Sequence, residues 1–149
     1  MPAPPLVWSN RQRAVSARQL SLPSARALVE AAWPLVRGAE RRGSVLGGLE
    51  EIGLVLVSDH RIAALHGEFM GDPAPTDVIT FLHGEIVVSA ETARREARRR
   101  NLRVPDEIAR YAVHGLLHLA GWKDAGEGAA AEMCDVQEKI LRRASACLC

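Results

Sequence analysis

No run of 18 consecutive apolar residues occurs in this 149-residue chain, which excludes a transmembrane helix as the reading of any segment. The opening Met-Pro-Ala-Pro-Pro lacks the basic-then-apolar pattern of a secretory leader, so the expected location is the cytoplasm. Cysteine is scarce and odd in number. Cys134, Cys147 and Cys149 do not suggest a disulfide framework. Cys134 falls in a helical pattern, where a small buried hydrophobe is expected, and the two terminal thiols alone fall short of a closed metal site. Charge of either sign is not in excess: 19 basic side chains stand against 18 acidic ones, and bulk charge announces no nucleic acid. Internal repeats and long low-complexity tracts are absent too.

What is present is the ordinary material of a soluble globular protein, 48% apolar and 25% charged, long enough for one domain over residues 1–149 with its own core. Leu6-Val-Trp8 reads as a short edge strand, whereas residues 9–20 are polar and carry no clear pattern. Ser21 and Pro23 start a helix over about 22–37, with apolar residues at 25, 28, 32 and 35; Pro34 is expected to kink it or end it early. Residues 38–48 read as a loop. Ile52–Val57 is continuously apolar, as a strand covered on both faces should be. Ser58-Asp59 caps a helix whose Ile62, Leu65 and Phe69 share a face, and Gly71–Pro75 forms a turn-rich loop. Val78–Leu82 and Glu85–Ser89, separated by His83-Gly84, predict a tight hairpin. Helices follow over about 90–101, from Val104-Pro105 through the histidines, and over about 129–143. The expected fold class is α+β: a single domain with a small mixed sheet, one hairpin and about five helices.

The stretch His114-Gly-Leu-Leu-His118-Leu-Ala-Gly121-Trp-Lys-Asp124 concentrates the chemistry. Histidines four apart on a helix lie one turn apart on one face, so both imidazoles reach a common point. Gly121 ends the helix in the left-handed conformation, and Asp124 lies on a segment able to turn back. Two imidazoles and a carboxylate make the three protein ligands of an open zinc site. A chance i, i+4 pair, one ring in the core and one wet, is the competing account. In the protease pattern His-Glu-x-x-His, a glutamate follows the first histidine as general base, but here that residue is Gly115. Peptidase chemistry thus lacks its proton acceptor, while a metal that acidifies water and polarises a phosphoryl oxygen still suits phosphodiester hydrolysis. Upstream, Arg94, Arg95, Arg98 and Arg99 project from the helix face opposite Ala90, Ala93 and Ala97. They read either as a solvated face, supported by Glu91–Arg95 and Glu96–Arg100 spacing, or as a ridge facing RNA.

These residues resemble the YbeY family of bacterial metal-dependent endoribonucleases. Beside the histidine motif, Pro75-Thr-Asp-Val-Ile-Thr-Phe81 is similar to the family's Pro-Thr-Asp-Val-Leu-Ser-Phe, and Gly84-Glu-Ile-Val-Val-Ser89 to its Gly-Asp-Ile-x-Ile-Ser. The likeness runs over about residues 50–143, and the first 50 residues add little. It implies a zinc-binding α+β fold, with one Zn²⁺ or another divalent ion on His114, His118 and Asp124. It further implies a single-strand-acting endoribonuclease of ribosomal RNA maturation and ribosome quality control, in which a metal-bound water assists cleavage. Partners implied are ribosomal RNA and the small ribosomal subunit, with ribosomal proteins or GTPases beside them. Two departures stand out. The family's third ligand is usually histidine with aspartate before it, where this chain has Lys123-Asp124. Many members carry an arginine thought to contact RNA where this chain has Met70, so that either Arg61 on the preceding helix substitutes for it or the nuclease step is weak. Thr76 and Asp77 read either as cleft residues or as turn formers, and His66 and His83 as lone surface or structural histidines. The competing functions are a non-catalytic ribosome-assembly or RNA-binding factor with a structural metal, and a metal amidase or peptidase, which Gly115 argues against.

Overall fold

The computed structural model describes residues 3–74 and 76–148; Met1 and Pro2 of the opening, Pro75 of the expected turn, and Cys149 lie outside the described residues. The chain runs β1 (Leu6–Asn10), α1 (Ala17–Leu20), α2 (Leu22–Gly38), β2 (Ile52–Val57), α3 (Asp59–Met70), β3 (Val78–Phe81), β4 (Glu85–Ser89), α4 (Ala90–Arg99), α5 (Val104–Leu119) and α6 (Glu127–Cys147). It is an α+β domain with five long helices around a four-stranded mixed sheet of order β1-β2-β4-β3. β1, β2 and β4 are mutually parallel, and β3 returns antiparallel on β4 as the expected hairpin.

The central strand explains its own composition. Ile52, Leu54 and Leu56 of β2 enter the main core, while Val55 and Val57 enter a smaller cluster with Ile62, Ile79 and Val87 beneath α3. Side chains alternate across a pleated strand, so covering both faces removes any reason for polar alternation. On the main face, α5 packs against α2, α4, α6 and the hairpin strands. Its Ile108, Ala112, Leu116, Leu117 and Leu119 are fully buried. The approach to the sheet is tightest at Gly115, where an added Cβ would fall 2.8 Å from Ile86 Cγ2 and 2.9 Å from Thr80 Oγ1. The position that carries glutamate in zinc peptidases has no space here for any side chain.

Several expectations need correction. Pro34 does not end its helix: α2 runs on to Gly38, with Trp33 and Val36 on either side of the proline buried. A missing N–H so close to the helix end forfeits one bond, and flanking burial outweighs it. The unpatterned stretch 9–20 is an extension of β1 followed by the one-turn α1, which Ser16 caps by accepting from Gln19 N–H. Leu82 belongs to the hairpin turn rather than to β3, and α6 is longer than expected at both ends. Cys134 is exposed, because Met133, Gln137, Ile140, Leu141 and Ala144 take the buried stripe of α6. Phe69 shares the expected helical spacing but is 57% exposed at the end of α3.

Candidate metal centre

Helix α5 carries the two histidines on adjacent turns, with their ring centroids 4.6 Å apart and their Nε2 atoms 3.1 Å apart. The helix stops at Leu119, and Gly121 adopts φ 102°, which turns the chain back. A loop far away in sequence secures that turn. Arg41 N–H donates to the Ala120 carbonyl at 2.8 Å and Val45 N–H to the Leu119 carbonyl at 2.9 Å, satisfying acceptors that a helix C-terminus leaves open. Trp122 is 7% exposed, donates its indole N–H to the Ala39 carbonyl, and lies 4.1 Å beneath the Arg41 guanidinium. The Trp122 carbonyl in turn faces His118 Nδ1 at 3.0 Å. A carbonyl only accepts, so the proton sits on Nδ1 and the Nε2 lone pair points away.

Asp124 completes the group, with its Oδ2 3.5 Å from His114 Nε2 and 3.4 Å from His118 Nε2. The chance-pair account left the two rings in different environments; here both are half-buried and share one carboxylate oxygen. Zinc bonds to nitrogen and carboxylate oxygen of about 2.0–2.2 Å place tetrahedral ligands about 3.3–3.6 Å from one another. The separations of 3.1, 3.4 and 3.5 Å are close to those edges, so these three side chains could hold a metal ion.

The group lies in a cavity of about 510 Å³ that Met70, Asp77, Thr80, Leu82 and Lys123 also line. Asp77 combines both readings made of it. It lines the cavity, and its Oδ1 accepts from Val78 N–H at 2.8 Å at the start of β3. Thr76 faces a neighbouring hollow with Arg95, Arg100 and Tyr111 instead. His66 bonds the Ala74 carbonyl at 2.9 Å and His83 stacks on Phe81, so neither belongs to the ligand group. Arg61 is exposed and does not line the cavity.

The arginine face of α4 is largely engaged with the protein. Arg95 donates to Asp59 Oδ2 at 2.6 Å. Burial alone would raise the Asp59 carboxyl, but bonds from Arg95, Ser89 and Thr92 outweigh it and hold the group below the usual carboxylate range. Arg99 pairs with Glu96, and Arg94 reaches the Ala14 carbonyl and Gln19. Glu91, expected to support Arg95, accepts from Asp59 N–H. Arg98 is exposed, and none of the four arginines lines the cavity of the histidines.

Sequence reasoning passed over four residues behind His114: Gln137, Glu138, Arg110 and Glu107. A signal was available at Gln137, a polar residue at helical spacing between Met133 and Ile140 on the buried stripe of α6.

Comparison with known proteins gives one consistent result. The family described as Endoribonuclease YbeY matches residues 12–145. An Endoribonuclease YbeY of Porphyromonas gingivalis strain W83 is 33% identical over 132 residues, spanning 84% of this chain and 85% of that protein. One from Anaeromyxobacter is 38% identical over 102 residues, spanning 62% and 53%. Among solved structures, a Thermotoga maritima protein determined in solution superposes with a TM-score of 0.60 at 25% identity, over 93% of this chain and 88% of the other.

Proposed function

This chain belongs to the endoribonuclease YbeY family, and on that premise we propose that it is a zinc-dependent endoribonuclease acting on single-stranded regions of ribosomal RNA. Its place would be ribosomal RNA maturation and ribosome quality control in the cytoplasm, beside the small subunit and its ribosomal-protein or GTPase partners. The observation that carries the reading is the convergence of His114, His118 and Asp124 on one point within an open cavity. A bound divalent cation there supplies a Lewis acid for a phosphoryl oxygen and an acidified water near neutral pH. The protein's own contribution is placement. Trp122 orients His118, Lys123 brings positive charge to the cavity, and Asp77, with one oxygen held by Val78 N–H, is its candidate proton acceptor. Gly115 supplies no carboxylate, which separates this site from zinc peptidases.

The rim supports a single-stranded substrate. Of the six large apolar side chains exposed among the described residues, Met70 and Leu82 line this cavity, and Phe69, the neighbour of Met70 at the end of α3, lies edge-on to Phe81 at 5.3 Å. Unpaired bases stack on such surfaces, whereas paired ones have their faces covered. Where the resemblance leads one to expect an arginine, Met70 contributes apolar area, so binding at this rim should depend on bases more than on phosphates. Phe69→Ala is expected to weaken binding of an unpaired oligouridine by about 5- to 100-fold, as alanine substitution at stacking sites does, with the salt dependence unchanged. Fluorescence anisotropy at several salt concentrations measures both.

Purified protein should carry about one divalent ion per chain, and a chelator should stop digestion of single-stranded RNA until zinc is returned. The loss of arginine at position 70 favours a second reading, a non-catalytic ribosome-assembly factor whose metal pins the segment after α5. Metal-replete protein that binds RNA and leaves it intact would establish that reading instead.

A further inference from the structure

A chain of hydrogen bonds runs from the interior to the outer edge of His114. Its Nδ1 lies 2.8 Å from Gln137 Oε1, and Gln137 Nε2 donates to Glu138 Oε2 at 3.1 Å. Glu138 is gripped by Arg110 in a two-pronged pair, Nε to Oε2 at 3.0 Å and Nη2 to Oε1 at 2.8 Å. The remaining prong of Arg110 goes to Glu107, which is fully buried.

The order of these bonds has a logic. An ionised carboxylate accepts and never donates, so Glu138 obliges the Gln137 carboxamide to present its NH₂ toward it. The carboxamide oxygen then faces His114, and an oxygen there requires the proton on Nδ1. Reversing the Gln137 amide would place NH₂ against His114 and favour the other tautomer, with a proton on Nε2 where the lone pair is needed. Arg110 is what keeps Glu138 in place, because its planar fork matches both carboxylate oxygens.

We propose that Gln137, Glu138 and Arg110 are positioning residues that lock His114 into the tautomer with Nε2 free for a cation. The proposal rests on reading His114 as a metal ligand. It assigns to α6, which contributes none of the three donors, the task of preparing one of them. His118 obtains the same tautomer from a main-chain carbonyl, so the two histidines are set by independent devices.

The test reads the tautomer directly and uses no RNA, so it stands apart from the outcome of any nuclease assay. Long-range ¹H–¹⁵N spectra of the metal-free full-length protein should show His114 protonated at Nδ1. Gln137→Met has similar length and no acceptor, so it should lose that preference and bind zinc about 10- to 100-fold more weakly in competition with a chromophoric chelator. Glu138→Ala should move both readouts in the same direction. Placed on top of Gln137→Met, it should change neither further, because it acts only through the amide. Wild-type His114 protonated at Nε2 would overturn the proposal, as would wild-type zinc affinity in Gln137→Met or effects of the two changes that simply multiply. Thermal melts check folding throughout. Should Glu138→Ala not fold, Gln137→Met alone decides.

Discussion

His114→Ala is expected to abolish metal-dependent RNA cleavage while leaving RNA binding and the fold intact. One of three protein donors disappears, and the remaining imidazole and carboxylate form a site too poor to retain zinc at ordinary concentrations. A loss of about a thousandfold in cleavage corresponds to about 4 kcal/mol of transition-state stabilisation. The structural cost is much smaller. His114 is half-buried on a helix, and alanine is the best helix former. The local penalty is an unpaired Gln137 oxygen, about 1 kcal/mol. Binding should persist, because Phe69, Met70 and Leu82 are untouched. Three measurements on one preparation separate the possibilities: metal content, cleavage of a single-stranded RNA, and anisotropy with the same RNA. Cleavage at the wild-type rate would remove the metal from the mechanism. Loss of cleavage together with circular dichroism and binding would instead report an unfolded variant.

The part of the site legible in the sequence is the part that helix geometry dictates. The i, i+4 spacing of His114 and His118 and the stop at Gly121 depend on nothing beyond residues 114–121, and both appear as expected. The continuous apolar run of β2 likewise announced a strand covered on both faces, and the β-branched pair 78–82 and 85–89 announced the hairpin. Asp124 was legible as a donor type at short range, but its approach depends on the loop before β2. Arg41 and Val45 bond the end of α5 across more than seventy residues, and no local pattern encodes that. The protein contacts of the α4 arginines were hidden for a related reason. Charge density on a helix is visible in sequence, whereas the acceptors Asp59, Ala14 and Gln19 that occupy those charges come from other elements. Phe69 has the spacing of a core residue, but it stands one residue from the end of α3, where it makes an edge contact with Phe81 and is left exposed.

The same long-range dependence makes Gly121→Ala strongly damaging to both fold and site. At φ 102° a residue with a Cβ is strained by about 1–3 kcal/mol. The added Cβ would also lie 2.8 Å from the Arg41 carbonyl oxygen, 3.0 Å from Ser44 N and 3.1 Å from the Arg42 carbonyl oxygen. All three are main-chain atoms, so no side-chain rotation relieves the contact, and overpacking of this kind costs a further 1–3 kcal/mol or so. A total of about 4 kcal/mol lowers the melting temperature of a domain this size by roughly 10–20 °C. Gly126→Ala provides the control, because Gly126 has φ 95° but nothing within 4 Å of its added Cβ. It should show the conformational strain without the clash, and the difference between the two melts isolates the packing of loop 41–44 against the end of α5. Relief in Gly121→Ala requires that loop to withdraw, which releases Trp122, frees the carbonyl that orients His118, and lets Asp124 drift from both imidazoles. Zinc affinity should therefore fall in Gly121→Ala even below its melting transition, while Gly126→Ala keeps it. Equal melting temperatures for the two variants would mean that loop 41–44 does not brace the site.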